Sequence, residues 1–221
     1  METYQLLYIF AGVILIGFTE NQIVAEIDKD LSYIIRYTDH KDKHFRRIVL
    51  KAERFPVRYS FFYDSPLKNH WFISYCAKSK KEVGDNCIMT MACTFRDANG
   101  FPFGVMPFPL GDKRKLAFYP PHFFARFRER MDLEETGDGL IKRFFAYNAS
   151  YGFTEKRTPL LGSSNVSVVE VFGSCRDGVC MGLKTKLGNV VFKTFITYEM
   201  TKGEQVEKFA ESEKIREEIH E

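Results

Sequence analysis

Three runs in the first half of the chain, VRYSFFYD (57–64), HWFISYCA (70–77) and NCIMTMACTF (86–95), crowd aromatic and β-branched side chains between breaks rich in Asp, Pro, Lys, Asn and Gly. Such side chains fit a pleated, half-buried surface and the breaks supply turns, so strands are expected. The pattern returns in NVSVVEVFGSC (165–175), CMGLKTKL (180–187) and NVVFKTFITYEM (189–200), joined by Asp-Gly and Gly-Asn, which predicts an antiparallel meander. With 22 Phe and 11 Tyr in 221 residues, the chain carries bulky rings enough for a thick sheet-packed core, and 45% apolar residues exclude disorder as a description of the whole. FPFGVMPFPLG (101–111) is too full of Pro and Gly for a central strand and reads as an edge strand or wandering loop.

Helical spacing appears elsewhere. Ile23, Val24, Ile27, Leu31, Ile34 and Ile35 predict an amphipathic helix over 20–38, followed by a loop and a short basic helix up to Pro56. KLAFYPP (115–121) reads as a strand that stops at Pro-Pro, with Pro121 suited to the first turn of a helix HFFARFRERM. GLIKRFFAYNASYGF (139–153) predicts a second helix, and 203–221 a polar one. The expected fold is α+β: a twisted antiparallel sheet with helices on one face, a helical N-terminus and a polar C-terminal helix. The divisions are 1–56 (apolar segment and helices), 57–202 (β-rich core with inserted helices) and 203–221.

The net charge of +3 does not by itself imply a nucleic-acid partner, but it is unevenly spread. Lys41 to Ser60 holds seven Lys/Arg against two acids, and Gly203 to Glu221 seven Glu against three Lys/Arg. A basic body with an acidic tail can bind a polyanion and restrain that binding; solvated helix faces give the same runs. The uncharged stretch from Tyr4 to Phe18 is shorter than the roughly 20 residues that span a bilayer. No Lys or Arg precedes it as in a secretory signal, so a buried element and a cytoplasmic, membrane-free protein are expected, export or anchoring through 4–18 being the alternative.

Five cysteines, an odd number without C-x-x-C spacing, point to neither a disulfide framework nor a zinc site, and no metal or cofactor is expected. In SCRDGVC, a two-residue turn at Asp177-Gly178 would set Cys175 directly opposite Cys180, as a cross-strand disulfide or as neighbouring thiols. No G-x-S-x-G elbow, Walker loop, H-E-x-x-H helix or G-x-G-x-x-G turn occurs. His40 and His44 sit at i, i+4 among basic residues, where a phosphate fits better than a cation. The interleaving of rings and bases in RYSFFYD, HWFISY and RFFAYNASYGF offers stacking beside charge, with Trp71, Tyr147 and Tyr151 the candidate rings and Arg143 the adjacent cation.

The densest chemistry lies in the helix after Pro121. At 100° per residue, His122, Arg126, Glu129 and Arg130 share one arc, and Phe123, Phe124, Phe127 and Met131 the next. An imidazole moves protons near neutral pH, and guanidiniums hold phosphate and stabilise a pentacoordinate transition state. The plainer alternative is an exposed face on which Glu129 pairs with Arg126 or Arg130.

A strand entering PHFFARFRERM, a second helix and a meander ending VVFKTFITYEM resemble the small bacterial toxin-nuclease group that includes RelE-like and barnase-like domains, in particular members with a His-x-x-x-Arg-x-x-x-Arg helix. The likeness covers about residues 115–200 and leaves 1–114 without a counterpart. It implies a metal-independent ribonuclease in which His122 is acid or base, Arg126 and Arg130 contact phosphate, Thr194 or Thr197 donates a hydroxyl and Lys193 adds charge. Beside it stands a non-enzymatic structural or interaction protein that binds RNA, a protein partner or a second copy of itself through a basic, aromatic surface.

Overall fold

From Thr19 onward the chain enters a single long helix, α1 (Glu20–Lys51), closed at its start by a capping box. The Gln22 N–H donates to the Thr19 hydroxyl at 3.3 Å, and the Thr19 N–H donates to the Gln22 side chain at 2.7 Å. The computed structural model describes residues 19–83, 88–97, 99–110, 113–149, 152–159 and 167–201. The apolar stretch 4–18, Cys87, Tyr151 and the segment 203–221 lie outside them. No described helix is long and apolar enough to cross a membrane.

Five strands follow α1: β1 (Val57–Asp64), β2 (His70–Ala77), β3 (Ile88–Arg96), β4 (Pro102–Leu110) and β5 (Lys113–Tyr119). Then come α2 (Pro121–Arg130), α3 (Gly137–Asn148), β6 (Gly152–Pro159), β7 (Ser167–Cys175), β8 (Gly178–Lys184) and β9 (Val190–Ile196). The strands form one sheet ordered β1-β2-β3-β4-β5-β9-β8-β7-β6. Two antiparallel meanders meet at β5 and β9, which run parallel through Ala117↔Val190 and Phe118↔Val191. The α+β class holds, but the sheet is mixed rather than purely antiparallel.

Helices cover both faces, not one. Alternation along β2 sends Trp71, Ile73 and Tyr75 into a core with Ile23, Ile27, Phe45 and Val49 of α1, and Phe72 into a second core with residues of α2 and α3. Half of that second core is rings: Tyr119, Phe123, Phe127, Phe144, Phe192 and Phe195 are all buried. Their centroids meet edge to face, as at Phe127–Phe195 (5.0 Å) and Phe123–Phe144 (5.1 Å), the geometry that ring quadrupoles prefer.

Several expectations fail for identifiable reasons. The stretch after residue 38 is helix, not loop: it contains no Gly or Pro before Pro56, Lys and Arg are good helix formers, and Phe45 and Val49 continue the buried stripe of Ile27, Ile34 and Thr38. The Pro-rich β4 is a central strand. Its ladder to β3 runs only from Arg96↔Pro102 to Cys93↔Val105, so Pro107 and Pro109 fall where β4 pairs with β5 alone and their missing N–H groups break no ladder to β3. Gly104 is also required there, because a Cβ would stand 2.7 Å from the Phe145 ring.

The second helix ends at Asn148, and Gly152 begins strand β6, which pairs with β7. The β7–β8 hairpin turns one residue earlier than expected, at Arg176-Asp177. Cys175 therefore pairs with Gly178, and Cys180 with Gly173. The two thiols share a face diagonally instead of directly, neither forms a disulfide, and the Cys175 thiol donates to the Gly178 carbonyl at 3.1 Å. Gly178 is needed because a Cβ there would lie 2.1 Å from the Ile196 oxygen.

Candidate anion-binding site

Pro120 caps α2 and Pro121 fills its first position, which sets His122 in the first turn, at the positive end of the helix dipole; the two prolines carry no N–H and the Phe123 N–H donates to the Pro120 carbonyl at 2.9 Å. Phe123, Phe124 and Phe127 anchor the helix to the ring core, and His122, Arg126 and Glu129 are left facing solvent.

A β-bulge delivers the next cation. Across β8 and β9, Gly182 pairs with Phe192 and Met181 with Thr194, so Lys193 is an extra residue on β9. Phe192 and Phe195, an odd number of residues apart, consequently enter the same core. Lys193 is half-buried and close enough to His122 to act on it electrostatically. Partial desolvation, then Lys193, then Arg126 lower the His122 imidazole below its ordinary value of 6.5. Desolvation also lowers Lys193. The neutral imidazole is thereby favoured near neutral pH, beside two cations.

The remaining expected residues divide. Arg130 and Thr194 do meet, but in a brace: Arg130 Nη1 donates to Thr194 Oγ1 at 3.0 Å and to the Phe195 carbonyl. Its guanidinium ties the end of α2 to β9. Arg126 is turned to Glu129, 2.7 Å away in an exposed i, i+3 pair that contributes little stability. Thr197 caps the short 3₁₀ turn Tyr198–Met200 through its carbonyl, which accepts the Met200 N–H at 3.1 Å. Of the expected constellation, His122, Arg126 and Lys193 remain as one face.

Arg143 and Tyr147 belong to a different grouping on α3. The Arg143 guanidinium carbon lies 4.4 Å from the Tyr147 ring centroid, and its Nη1 lies 3.7 Å from Asp177 at the β7–β8 turn. Asn148 locks that turn by donating to Asp177 Oδ2 at 2.8 Å and accepting the Asp177 N–H at 2.9 Å. Tyr147 is exposed, as expected of a stacking ring. Trp71 is fully buried and donates its indole N–H to Asp30 at 2.8 Å, so it is no platform. His40 and His44 are exposed on α1, the His44 ring 5.2 Å from that of Tyr59.

The bulge at Lys193 had a signal in the sequence: two polar residues between two phenylalanines in FKTF break the alternation of a regular strand. Arg58 and Arg176, which also approach Tyr147, had none, because they come from distant parts of the chain. Among the described residues no group of three His, Cys, Asp or Glu is placed to hold a metal. No family model matches the chain, and no curated protein or solved structure resembles it closely enough to count as a match.

Proposed function

We propose that the protein binds single-stranded RNA through the phosphates, on the face formed by His122, Arg126 and Lys193. The observation that carries this reading is the bulge that adds Lys193 to the α2 face, so that two chain-distant elements supply cations around an exposed imidazole at a helix N-terminus. Arg126 releases Glu129 at little cost because their pair is exposed. Titration of a labelled oligoribonucleotide at several salt concentrations tests the reading. Binding should weaken with salt by a log–log slope of about −0.7 per phosphate contacted, and Lys193→Ala should reduce both affinity and slope. A protein that does not bind RNA at low salt, or whose affinity is indifferent to both Lys193→Ala and Arg126→Ala, would refute it.

Cleavage of the bound strand is the second reading, and the lowered His122 pKa favours it. A neutral imidazole can take the 2′-hydroxyl proton, and Lys193 or Arg126 can stabilise the charge that grows on phosphorus-bound oxygen. This is the chemistry implied by the resemblance to RelE-like and barnase-like nucleases. His122→Ala should then lower the cleavage rate by about 10² to 10⁴ and leave binding nearly intact, with no effect of chelator. Intact RNA after prolonged incubation with the wild-type protein would leave binding as the function.

A further inference from the structure

We propose a second anion site, centred on Tyr147 and built by Arg58, Arg143 and Arg176, that takes a phosphate monoester dianion. The three guanidinium carbons lie 5.4, 4.4 and 5.1 Å from the centroid of the same exposed ring, that of Tyr147. They come from β1, α3 and the β7–β8 turn, so the site exists only in the folded chain. A ring has two faces, and three cations cannot each have a face to themselves; their mutual repulsion costs free energy that a bound anion would offset.

The described counter-charge is a single carboxylate, Asp177, 3.7 Å from both Arg143 and Arg176. Three guanidiniums against one carboxylate leave an excess of two positive charges, which matches a dianionic phosphate better than a carboxylate or a phosphodiester. Two details point to a missing acceptor. Arg143 Nη1 is buried and has no hydrogen-bond partner among the described residues, the Asp177 oxygen being beyond hydrogen-bond reach. Arg58 is held in place through one nitrogen only, Nη1 donating to the Ala146 carbonyl at 3.1 Å, which leaves the rest of its donor fork for another group. Asn148 fixes the turn that carries Arg176 and Asp177, so the cluster is organised before any ligand arrives.

The same chemistry is offered by free phosphate and by the terminal phosphate of a nucleotide, whose base could stack on the exposed part of Tyr147. The site does not depend on the His122 face, and the variants that test the two are different, so either can fail alone.

Calorimetric titration of the full chain with inorganic phosphate, AMP and adenosine tests it. Saturable binding of phosphate and AMP is expected, with adenosine silent. AMP tighter than phosphate would identify a nucleotide end as the ligand, and equal affinities the free anion. Arg176→Ala, at an exposed turn position where losing one of three repelling cations should not lower thermal stability, should weaken binding about tenfold to a hundredfold, the loss expected for one charge-assisted contact. Asp177→Asn should tighten binding, because it removes the competing carboxylate. The proposal falls if neither phosphate nor AMP saturates at millimolar concentration. It falls equally if Arg58→Ala and Arg176→Ala leave affinity unchanged, or if Asp177→Asn weakens it.

Discussion

The two faces of the sheet treat their polar side chains in opposite ways. On the α1 face two carboxylates, Asp30 and Glu20, are buried and hold the helix to the sheet. Asp30 Oδ2 accepts from Ser65 (3.0 Å), Asn69 (2.7 Å) and Trp71 (2.8 Å), clasping α1 to the β1–β2 turn. Glu20 accepts from Thr185 at 2.7 Å and from Asn189, clasping the other end of α1 to the β8–β9 loop. On the α2–α3 face cohesion comes from rings, and the ionised groups stand at the rim with cations in excess. A face glued by hydrocarbon leaves its charges for a ligand; a face glued by carboxylates spends them on itself. That difference places binding chemistry on the α2–α3 side although α1 carries the denser run of basic residues.

The comparison can be broken most severely at Phe144, which touches Phe123, Phe127 and Phe195. Phe144→Ala should cost about 3–5 kcal/mol in denaturant unfolding, the range for emptying a packed aromatic site. A loss below about 1 kcal/mol would mean that rings do not hold this face. Next in size, Asp30→Asn should cost about 1–3 kcal/mol, because two buried donors and a half-buried one lose a carboxylate acceptor. Trp71 is the only tryptophan, so its fluorescence should report local loosening before global unfolding. Unchanged stability would show the clasp to be incidental.

The sequence disclosed most of the strands because their aromatic and branched runs are bounded by turn residues. It disclosed α2 because Pro120-Pro121 both ends β5 and starts the helix. Two of the errors share a cause, composition read in place of pairing or packing. Composition stood in for pairing at β4, where prolines are tolerated because the β3 ladder stops at Val105. Charge density stood in for a loop after residue 38, where the charged side chains merely cover the outer side of a continuous helix. At the candidate site the helix arc was legible, since 3.6-residue periodicity is local information. That Arg130 would be spent on Thr194 and the Phe195 carbonyl was not, because it depends on how closely α2 approaches β9.

A smaller effect separates bracing from binding. Thr194→Val removes the hydroxyl that Arg130 donates to, and should cost about 0.5–1.5 kcal/mol, the net value of one hydrogen bond. RNA affinity should stay within error of the wild type, since the Phe195 carbonyl still holds the guanidinium. A gain in affinity would instead mean that Arg130, once freed, reaches phosphate, and would restore it to the binding face.

The smallest expected change in stability is that of His122→Ala, within about 0.5 kcal/mol at neutral pH, because the side chain is exposed and holds no element in place. Its pH dependence is more informative than its size. The folded imidazole titrates below its ordinary value of 6.5, so in the window just under 6.5 the unfolded chain binds the proton first. Wild-type stability should therefore decline slightly as pH falls through that window and be flat above it, and His122→Ala should lack this decline. Lys193→Ala, by removing the larger of the two charge effects on His122, should move the imidazole pKa back up, which histidine proton resonances would follow directly. If His122 also acts as a base in cleavage, the acid limb of the rate profile must sit below 6.5 in the wild type and shift upward in Lys193→Ala. A limb that stays in place while the resonance moves would detach His122 from the reaction and leave the face as a binding surface only.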